Sequence, residues 1–427
     1  MLKIITILIF IAMYVLMILF PSKRALSALS AAVILILIGA VPVLDALRNI
    51  DVNVLLMLTG TMITVDFFIR SRMPNRIADR LLRVAPNVMW VTILMSLFAG
   101  VISALIDNVS TVLMVAPVGL AVCKKLKIRP VPMIICIAVS SNLQGAATLI
   151  GDATSVMLGA YAKMDFMEFF WMDGRPGIFF AVELGAIATV PIMMFLFRKD
   201  KEPVQGGELT AVTNLGPTVI LLLQITALVS ASFLPNKPDL TNGLICLAGA
   251  VCSILWDVIY SKRNGRKSDI AGTLANLDTD TLLLLTGLFM VIAAVTEVGL
   301  ISDLAHLIAK AGGNNLFLLY TIVVWGSVVI SAFIDNIPYV ATMLPVLQGL
   351  CSGAGADPGL LYFGLLIGAT LGGNLTPFGA SANIAGVGIL RKEGETVSNM
   401  DFCRIGVPFT LTAVMVGYLF VWFVRTM

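Results

Sequence analysis

Two aspartate–asparagine pairs in apolar surroundings carry most of the chemistry legible in this chain. Ser103-Ala-Leu-Ile-Asp107-Asn108-Val-Ser recurs 228 positions later as Ser331-Ala-Phe-Ile-Asp335-Asn336-Ile-Pro. A carboxylate at membrane depth is expensive, so two at matching places point to a site built from two related halves. The register continues without a gap: Pro117 falls on Pro345, Gly145 on Gly373, Thr148 on Thr376 and Gly151 on Gly379. Two polar interruptions lie within it. One is Gly145-Ala-Ala-Thr148-Leu-Ile-Gly151-Asp152-Ala-Thr154-Ser155, and its mate is Gly372-Gly373-Asn374-Leu-Thr376-Pro377-Phe-Gly379-Ala-Ser381-Ala-Asn383. A helix broken at this depth frees carbonyls and amides that can hold an ion or a substrate oxygen. Pro377 removes an amide donor, and the glycines let the backbone bend closely around a bound group.

Carboxylate and carbonyl oxygens suit a hard cation. Carboxyl groups withdrawn from water exchange protons nearer neutrality than the usual ~3.9. Asp107, Asp152 and Asp335 are therefore expected to exchange protons or to bind sodium with the help of neighbouring Asn, Ser and Thr side chains. No Lys or Arg falls near the centres of these four segments in the sequence. A multiply charged anion would then lack a basic clamp, and a cation or a neutral hydroxide such as arsenous acid fits better.

The elements that must position these residues follow from composition. The 427 residues are 59% hydrophobic and 12% charged, with mean hydropathy +0.98. Soluble domains average about 25% charged residues, so this is an all-α polytopic membrane protein. The basic residues form short clusters between apolar runs, which reads as topology signal and leaves no case for nucleic-acid binding. The six cysteines lack CxxC spacing and read as small apolar side chains rather than disulfides. The first apolar run precedes Pro21-Ser22-Lys23-Arg24 rather than a small-residue cleavage site, and is taken as a retained span. Candidate spans lie near 4–20, 25–44, 52–70, 177–197, 217–235, 240–260, 279–300 and 404–424. The stretches 131–162 and 358–390 are spans broken in the middle. The stretches 88–123 and 315–352, with Asp-Asn near their centres, are expected to be re-entrant hairpins, leaving about ten spans.

Placing Pro21–Arg24 in the cytoplasm puts 21 of the 28 Lys and Arg on that side. It also makes both termini extracytoplasmic, and the two halves antiparallel. Asn49-Ile-Asp51 leading into Leu58-Thr59-Gly60 matches Asn276-Leu-Asp278 leading into Leu285-Thr286-Gly287 at an offset of 227. Inverted repeats with broken helices are a usual secondary-transporter architecture. The expected organisation is scaffold spans of repeat 1 (1–87), its hairpin, broken helix and following span (88–197), and a linker (198–216). Scaffold spans of repeat 2 (217–314) and the second hairpin, broken helix and last span (315–427) complete it.

Thr148-Leu-Ile-Gly-Asp152, Gly379-Ala-Ser-Ala-Asn383 and the two Asp-Asn tips resemble the ion transporter superfamily. The branch is that of arsenite permeases, sodium/proton antiporters of the marine-bacterial type and the melanosomal P protein, with citrate and dicarboxylate carriers more distant. The resemblance spans most of the chain. It implies that hairpins and broken helices form a mobile transport domain against a scaffold that often dimerises, with elevator-like alternating access; arsenite permeases can also take a separate ATPase subunit. Relatives often continue Gly-Asp-Pro-Pro-Asn, whereas this chain reads Gly151-Asp152-Ala153-Thr154-Ser155. The dicarboxylate carriers' Ser-Asn-Thr hairpin signature is replaced by Asp-Asn-Val-Ser and Asp-Asn-Ile-Pro.

The expected ion or substrate site comprises Asp107, Asn108, Thr148, Gly151, Asp152, Ser155, Asp335, Asn336, Asn374, Thr376, Gly379, Ser381 and Asn383. Sodium is expected at Asp107, Asn108, Asp335 and Asn336. The leading expectation is a secondary active transporter of the cell membrane, coupled to sodium or protons and moving a small inorganic ion or arsenite. A citrate or dicarboxylate carrier is the alternative, and an ion channel a further one. No HExxH, no GxSxG with partners and a single histidine argue against an enzyme, no Walker A motif supports direct ATP hydrolysis, and no cofactor is implied.

Overall fold

The computed structural model describes residues 1–204, 209–265, 267–313, 315–354 and 357–427. The first repeat contains α1 (Leu2–Leu19), α2 (Arg24–Leu37), α3 (Val43–Arg48), α4 (Val52–Arg70), α5 (Met73–Val84), α6 (Val88–Ser103), α7 (Asn108–Leu126), α8 (Val131–Gly145), α9 (Ala153–Tyr161) and α10 (Ile178–Leu196). The second contains α11 (Gly216–Ala231), α12 (Thr241–Arg263), α13 (Ile270–Ala275), α14 (Thr279–Glu297), α15 (Leu300–Gly312), α16 (Leu316–Ser331), α17 (Asn336–Ala354), α18 (Pro358–Leu366), α19 (Ser381–Lys392) and α20 (Asn399–Thr426). Among the described residues the strands amount to one two-residue ribbon, Trp171–Met172 against Arg175–Pro176.

The two hairpins are α6–α7 and α16–α17, turning at Ala104–Asp107 and Ala332–Asp335. The broken helices are α8/α9 and α18/α19. The second break relaxes through a π turn at Ile367–Leu371 and a 3-10 turn at Gly373–Leu375 before α19 begins. Together with the eight continuous helices α1, α2, α4, α10, α11, α12, α14 and α20, they give the ten crossings expected from the sequence.

Side-chain chemistry sets where these helices start. Asp51, Asn87, Asp107, Asp278 and Asn315 each accept a backbone amide as N-caps. The span expected at 25–44 is shorter than read. Gly39, at φ +77°, ends α2 after Leu37, with the Ala40 amide on Leu35 O and the Gly39 amide on Ile36 O. That is a Schellman stop, and the chain then turns into the short α3.

Every residue of α8 except Pro132 is buried, and α18 beyond Pro358 is buried throughout. The first half of each broken helix therefore lies inside protein, and the second break borders a cavity at Phe378, which together meet the condition for irregular backbone at membrane depth. The outer helices expose apolar side chains such as Leu8, Ile11, Leu222 and Leu223, the faces that meet lipid.

The four helices α2, α4, α12 and α14 form two matched close pairs. A Cβ on Gly60 of α4 would stand 2.3 Å from the Cys246 backbone of α12, and one on Gly287 of α14 2.8 Å from the Ala28 backbone of α2. Small residues allow this approach.

Ion pairs preserve the sidedness inferred from charge. Lys124–Glu393, Arg129–Glu395, Arg129–Asp401 and Arg70–Asp269 join segments assigned to one side. Lys3–Asp303, Lys237–Asp165 and Arg425–Asp357 join segments assigned to the other. The 198–216 segment is tied to the first hairpin through Val88 N on Glu202 O and Met89 N on Asp200 O. Its residues 205–208 lie outside the described set, as does Arg266, counted above on the cytoplasmic side.

Candidate functional site

The hairpin turns bring Asp107 and Asp335 to one cavity of about 30 Å³, lined also by Asn108, Asp152, Asn336 and Ser381. This is room for one or two water-sized particles. Six of the thirteen residues singled out in the sequence thus share one small space. The facing wall adds Leu58 and Met62 of α4, and Asp278 and Thr281 at the start of α14. Asp278 was visible in the sequence only as part of a repeat match; it is a fourth carboxylate of the site.

Six of the seven remaining residues lie behind the cavity and brace it, in three symmetric pairs. Thr148 Oγ1 donates to Ala104 O, and Thr376 Oγ1 to Ala332 O, so each break is fastened to its own hairpin turn. Gly151 and Gly379 permit that contact. A Cβ on Gly151 would stand 2.6 Å from Gly145 O and 2.7 Å from Ser103 O, and one on Gly379 2.6 Å from Gly373 O and 2.7 Å from Ser331 O. Ser155 donates to Gly145 O at 3.3 Å and Asn383 to Gly373 O at 3.1 Å, bridging the two sides of each break. The threonine and serine hydroxyls and Asn383 Nδ2 are spent on backbone, while Asn383 Oδ1 is buried without a partner among the described residues.

Asn374 belongs to a second layer centred on Asn142, which sequence reasoning missed. Asn142 Oδ1 accepts from Asn108 Nδ2 at 3.0 Å, while its Nδ2 donates to Thr370 O at 2.6 Å and to Asn374 Oδ1 at 3.1 Å. Asn374 Nδ2 in turn donates to Val139 O at 2.9 Å. Thr154 and Thr370 hydroxyls meet at 3.2 Å, and Asn336 is hydrogen bonded to Ser331 Oγ at 2.7 Å. The two halves are thus stitched across the pseudo-symmetry axis by fully buried amides. Asn142 and Thr370 stand at the same 228-residue offset but differ in type, so the repeat match passes over them; the signal was a buried amide within an apolar run.

The carboxylates differ in their surroundings. Asp107 Oδ1 accepts the Ser110 amide at 2.9 Å, the capping bond of α7, and Asp152 Oδ2 accepts from Thr154 Oγ1 at 2.7 Å. Asp278 accepts the Thr281 amide and, at 2.6 Å, its hydroxyl. Among the described residues none of these three forms an ion pair with Lys or Arg. Asp335 does: Arg24 places Nη1 2.6 Å from Asp335 Oδ2 and 2.6 Å from Ser381 Oγ, with Nε 2.9 Å from Asp280 Oδ2. The expected absence of a basic group near the second hairpin is therefore corrected. A guanidinium stands where sodium was expected at Asp335, delivered from the start of α2, more than three hundred residues away in sequence. Ser381, the remaining polar group there, also donates to Asp335 Oδ2 at 2.8 Å.

Beside this site lies a wider vestibule of about 740 Å³, sharing Arg24, Asp278, Asp335 and Ser381 and walled by Met17, Ile18, Phe333, Phe378 and Ile384. On the opposite side a cavity of about 420 Å³, lined by Arg48, Asp51, Lys163, Lys237 and Asn242, shares no residue with the carboxylate cluster. Among the described residues, of these two cavities the one that shares side chains with the carboxylate cluster is on the Pro21–Arg24 side.

Inverted repeats, paired hairpins and broken helices around a buried acidic cluster define a membrane transporter. The citrate transporter family model matches residues 14–368. The chain belongs to that family. It is 29% identical to an uncharacterized transporter of Mycobacterium tuberculosis over 98% of both chains, and equally to the 46 kDa membrane protein of Mycobacterium leprae. It is 28% identical to the human P protein over 92% of this chain and 56% of that protein. The Alcanivorax borkumensis YdaH transporter, whose crystal structure revealed an unusual topology, shares the fold at TM-score 0.59 and 14% identity, over 88% of this chain and 86% of that one. The resemblance to the ion transporter superfamily and its P protein branch is borne out.

Proposed function

We propose that this protein is a secondary active transporter of the cell membrane that moves a small inorganic ion, with arsenite included in that class, coupled to sodium or protons. One observation carries this reading. Asp107, Asp152 and Asp335, from both repeats, meet Asp278 at a cavity of about 30 Å³. A space of that size holds a bare ion, whereas a tricarboxylate would have to lie in the wider vestibule beside it. Asp107, Asp152 and Asp278, which have no basic partner among the described residues, favour a cation or a proton as their counter-charge.

In this reading α6–α9 and α16–α19 move as a unit against the surrounding helices, carrying the site across the bilayer. The Pro21–Arg24 side is cytoplasmic and both termini lie outside, so the vestibule marks an inward-open state. A homodimer of the outer helices would provide the fixed frame.

A carboxylate substrate is the second reading, favoured by Arg24 beside the vestibule and by the family's printed description. Arg24 is already paired with two aspartates, so its charge is spent within the protein.

The test is reconstitution of the purified protein in liposomes holding a pH-sensitive dye, challenged in turn with sodium, lithium, arsenite and citrate. A proton or sodium-linked signal that disappears in Asp107→Asn and Asp152→Asn, with both variants inserted normally, is the expected result. Wild-type coupling in both variants would remove the site from the mechanism, and a response to citrate alone would select the carboxylate reading.

A further inference from the structure

We infer that Arg24 is a built-in cation that displaces the coupling ion from Asp335 when the site opens to the Pro21–Arg24 side, and that the corresponding position on the opposite side carries no such displacer. The inference rests on the proposed coupling to sodium or protons and concerns a residue that the repeat pattern alone does not supply. Its first support is geometry. Arg24 is held by Asp280 on the scaffold helix α14 and reaches across to Asp335 and Ser381, which the proposed moving unit carries. Nη1 lies 2.6 Å from both Asp335 Oδ2 and Ser381 Oγ, so the guanidinium occupies the coordinating atoms a cation would need.

The second support is broken symmetry. Gly287 stands against Ala28 as Gly60 stands against Cys246, which sets the register of α2 on α12. Four residues before each contact, Arg24 corresponds to Asn242. At the offset of 227 that aligns Asp278 with Asp51, Asp280 corresponds to Asn53. The Arg24–Asp280 pair is thus matched on the far side by two neutral amides. Asn53 Oδ1 accepts the Gly243 amide at 2.8 Å, and the buried Asn242 Oδ1 has no partner among the described residues. The far-side cavity does hold Arg48, beside Asp45, Lys237, paired with Asp165, and Lys163, but none of them stands at the position that corresponds to Arg24, so a site moved toward that side meets a neutral amide there. A site moved toward Arg24 gains a tethered competitor. Asp278, Asp152 and Asp107 face the same space and supply no positive charge, so the competition is between Arg24 and the mobile ion alone.

The experiment uses purified full-length protein in detergent. Sodium chloride is titrated against choline chloride at fixed pH, and pH is varied without sodium, with binding read by calorimetry. Arg24→Gln is expected to tighten cation binding by about tenfold or more, the lower end of the coupling between close charge pairs, and to slow turnover in liposomes through delayed release. Arg24→Lys keeps the charge and should remain close to wild type. Asp280→Asn leaves Arg24 with Asp335 as its sole carboxylate and should shift affinity the other way, toward weaker binding; this keeps the inference testable if Arg24→Gln fails to fold. Unchanged or weakened binding in Arg24→Gln overturns the inference, as does an Arg24→Lys that behaves like Arg24→Gln or an Asp280→Asn that binds more tightly. If the wild-type protein responds to neither sodium nor protons, the coupling itself is wrong, and the inference falls with it.

Discussion

Replacing Asn142 with leucine tests whether the two halves are held together by the buried amide layer. Leucine is similar in bulk and suits a helix, so the change removes hydrogen bonding with little change in packing. Three partners are stranded: Asn108 Nδ2, Thr370 O and Asn374 Oδ1. All belong to residues that are buried, where an unmet polar group costs about 1–3 kcal/mol. Interhelical hydrogen bonds measured in membranes average nearer ~0.6 kcal/mol, because the unfolded chain finds substitutes. Weighing the two, Asn142→Leu should cost about 2–4 kcal/mol. Thr154→Val removes one hydroxyl from a 3.2 Å contact and one bond to Asp152, and should cost less than half as much. Reversible unfolding in mixed micelles, followed by circular dichroism, measures both. An Asn142→Leu within about 0.5 kcal/mol of wild type, or a Thr154→Val of equal cost, would refute the idea that Asn142 is the hub.

Gly151→Ala and Gly379→Ala each force a Cβ to within 2.7 Å of two carbonyl oxygens, and should each lose about 1–3 kcal/mol with coupled transport lost alongside; unfolding midpoints equal to wild type would show that the breaks relax freely. A cysteine placed in the Lys124–Arg129 loop should react with a membrane-impermeant maleimide only from the cytoplasmic side of oriented vesicles. Labelling from outside would overturn the sidedness on which the inward-open reading depends.

The hairpins, the breaks and their pairing were legible because each depends on local exceptions to an apolar background. Asp107, Asn108, Asp335 and Asn336 stand out wherever charge is scarce, and a constant offset links distant segments without any knowledge of packing. The roles of Thr148, Gly151, Ser155 and their mates were not legible. A threonine that donates to a hairpin carbonyl and one that ligates an ion look alike in sequence, since only the direction of the hydroxyl separates them. Arg24 was hidden for a different reason. Beside Lys23 in a short polar turn it has the composition of a topology signal, and nothing local marks that its guanidinium points into the protein toward Asp280 and Asp335.

What repeats and what does not repeat divide the work between them. Thr148 and Thr376, Gly151 and Gly379, and Ser103 and Ser331 are conserved between the halves of this one chain and serve as braces, because either half must be rigid whichever way the site faces. Asp152 falls opposite Ala380, Ser381 opposite Ala153, and Arg24 opposite Asn242. Two identical halves would give two states with equal affinity for the ion, and a ligand bound equally by two states shifts neither. A difference in affinity between the two faces therefore has to come from positions where the symmetry fails. The strongest such position in charge is Arg24 against Asn242, and it lies in direct contact with one of the two hairpin aspartates and out of reach of the other in this conformation. In the proposed reading, coupling arises at the mismatches, and the matched residues form the frame that carries them.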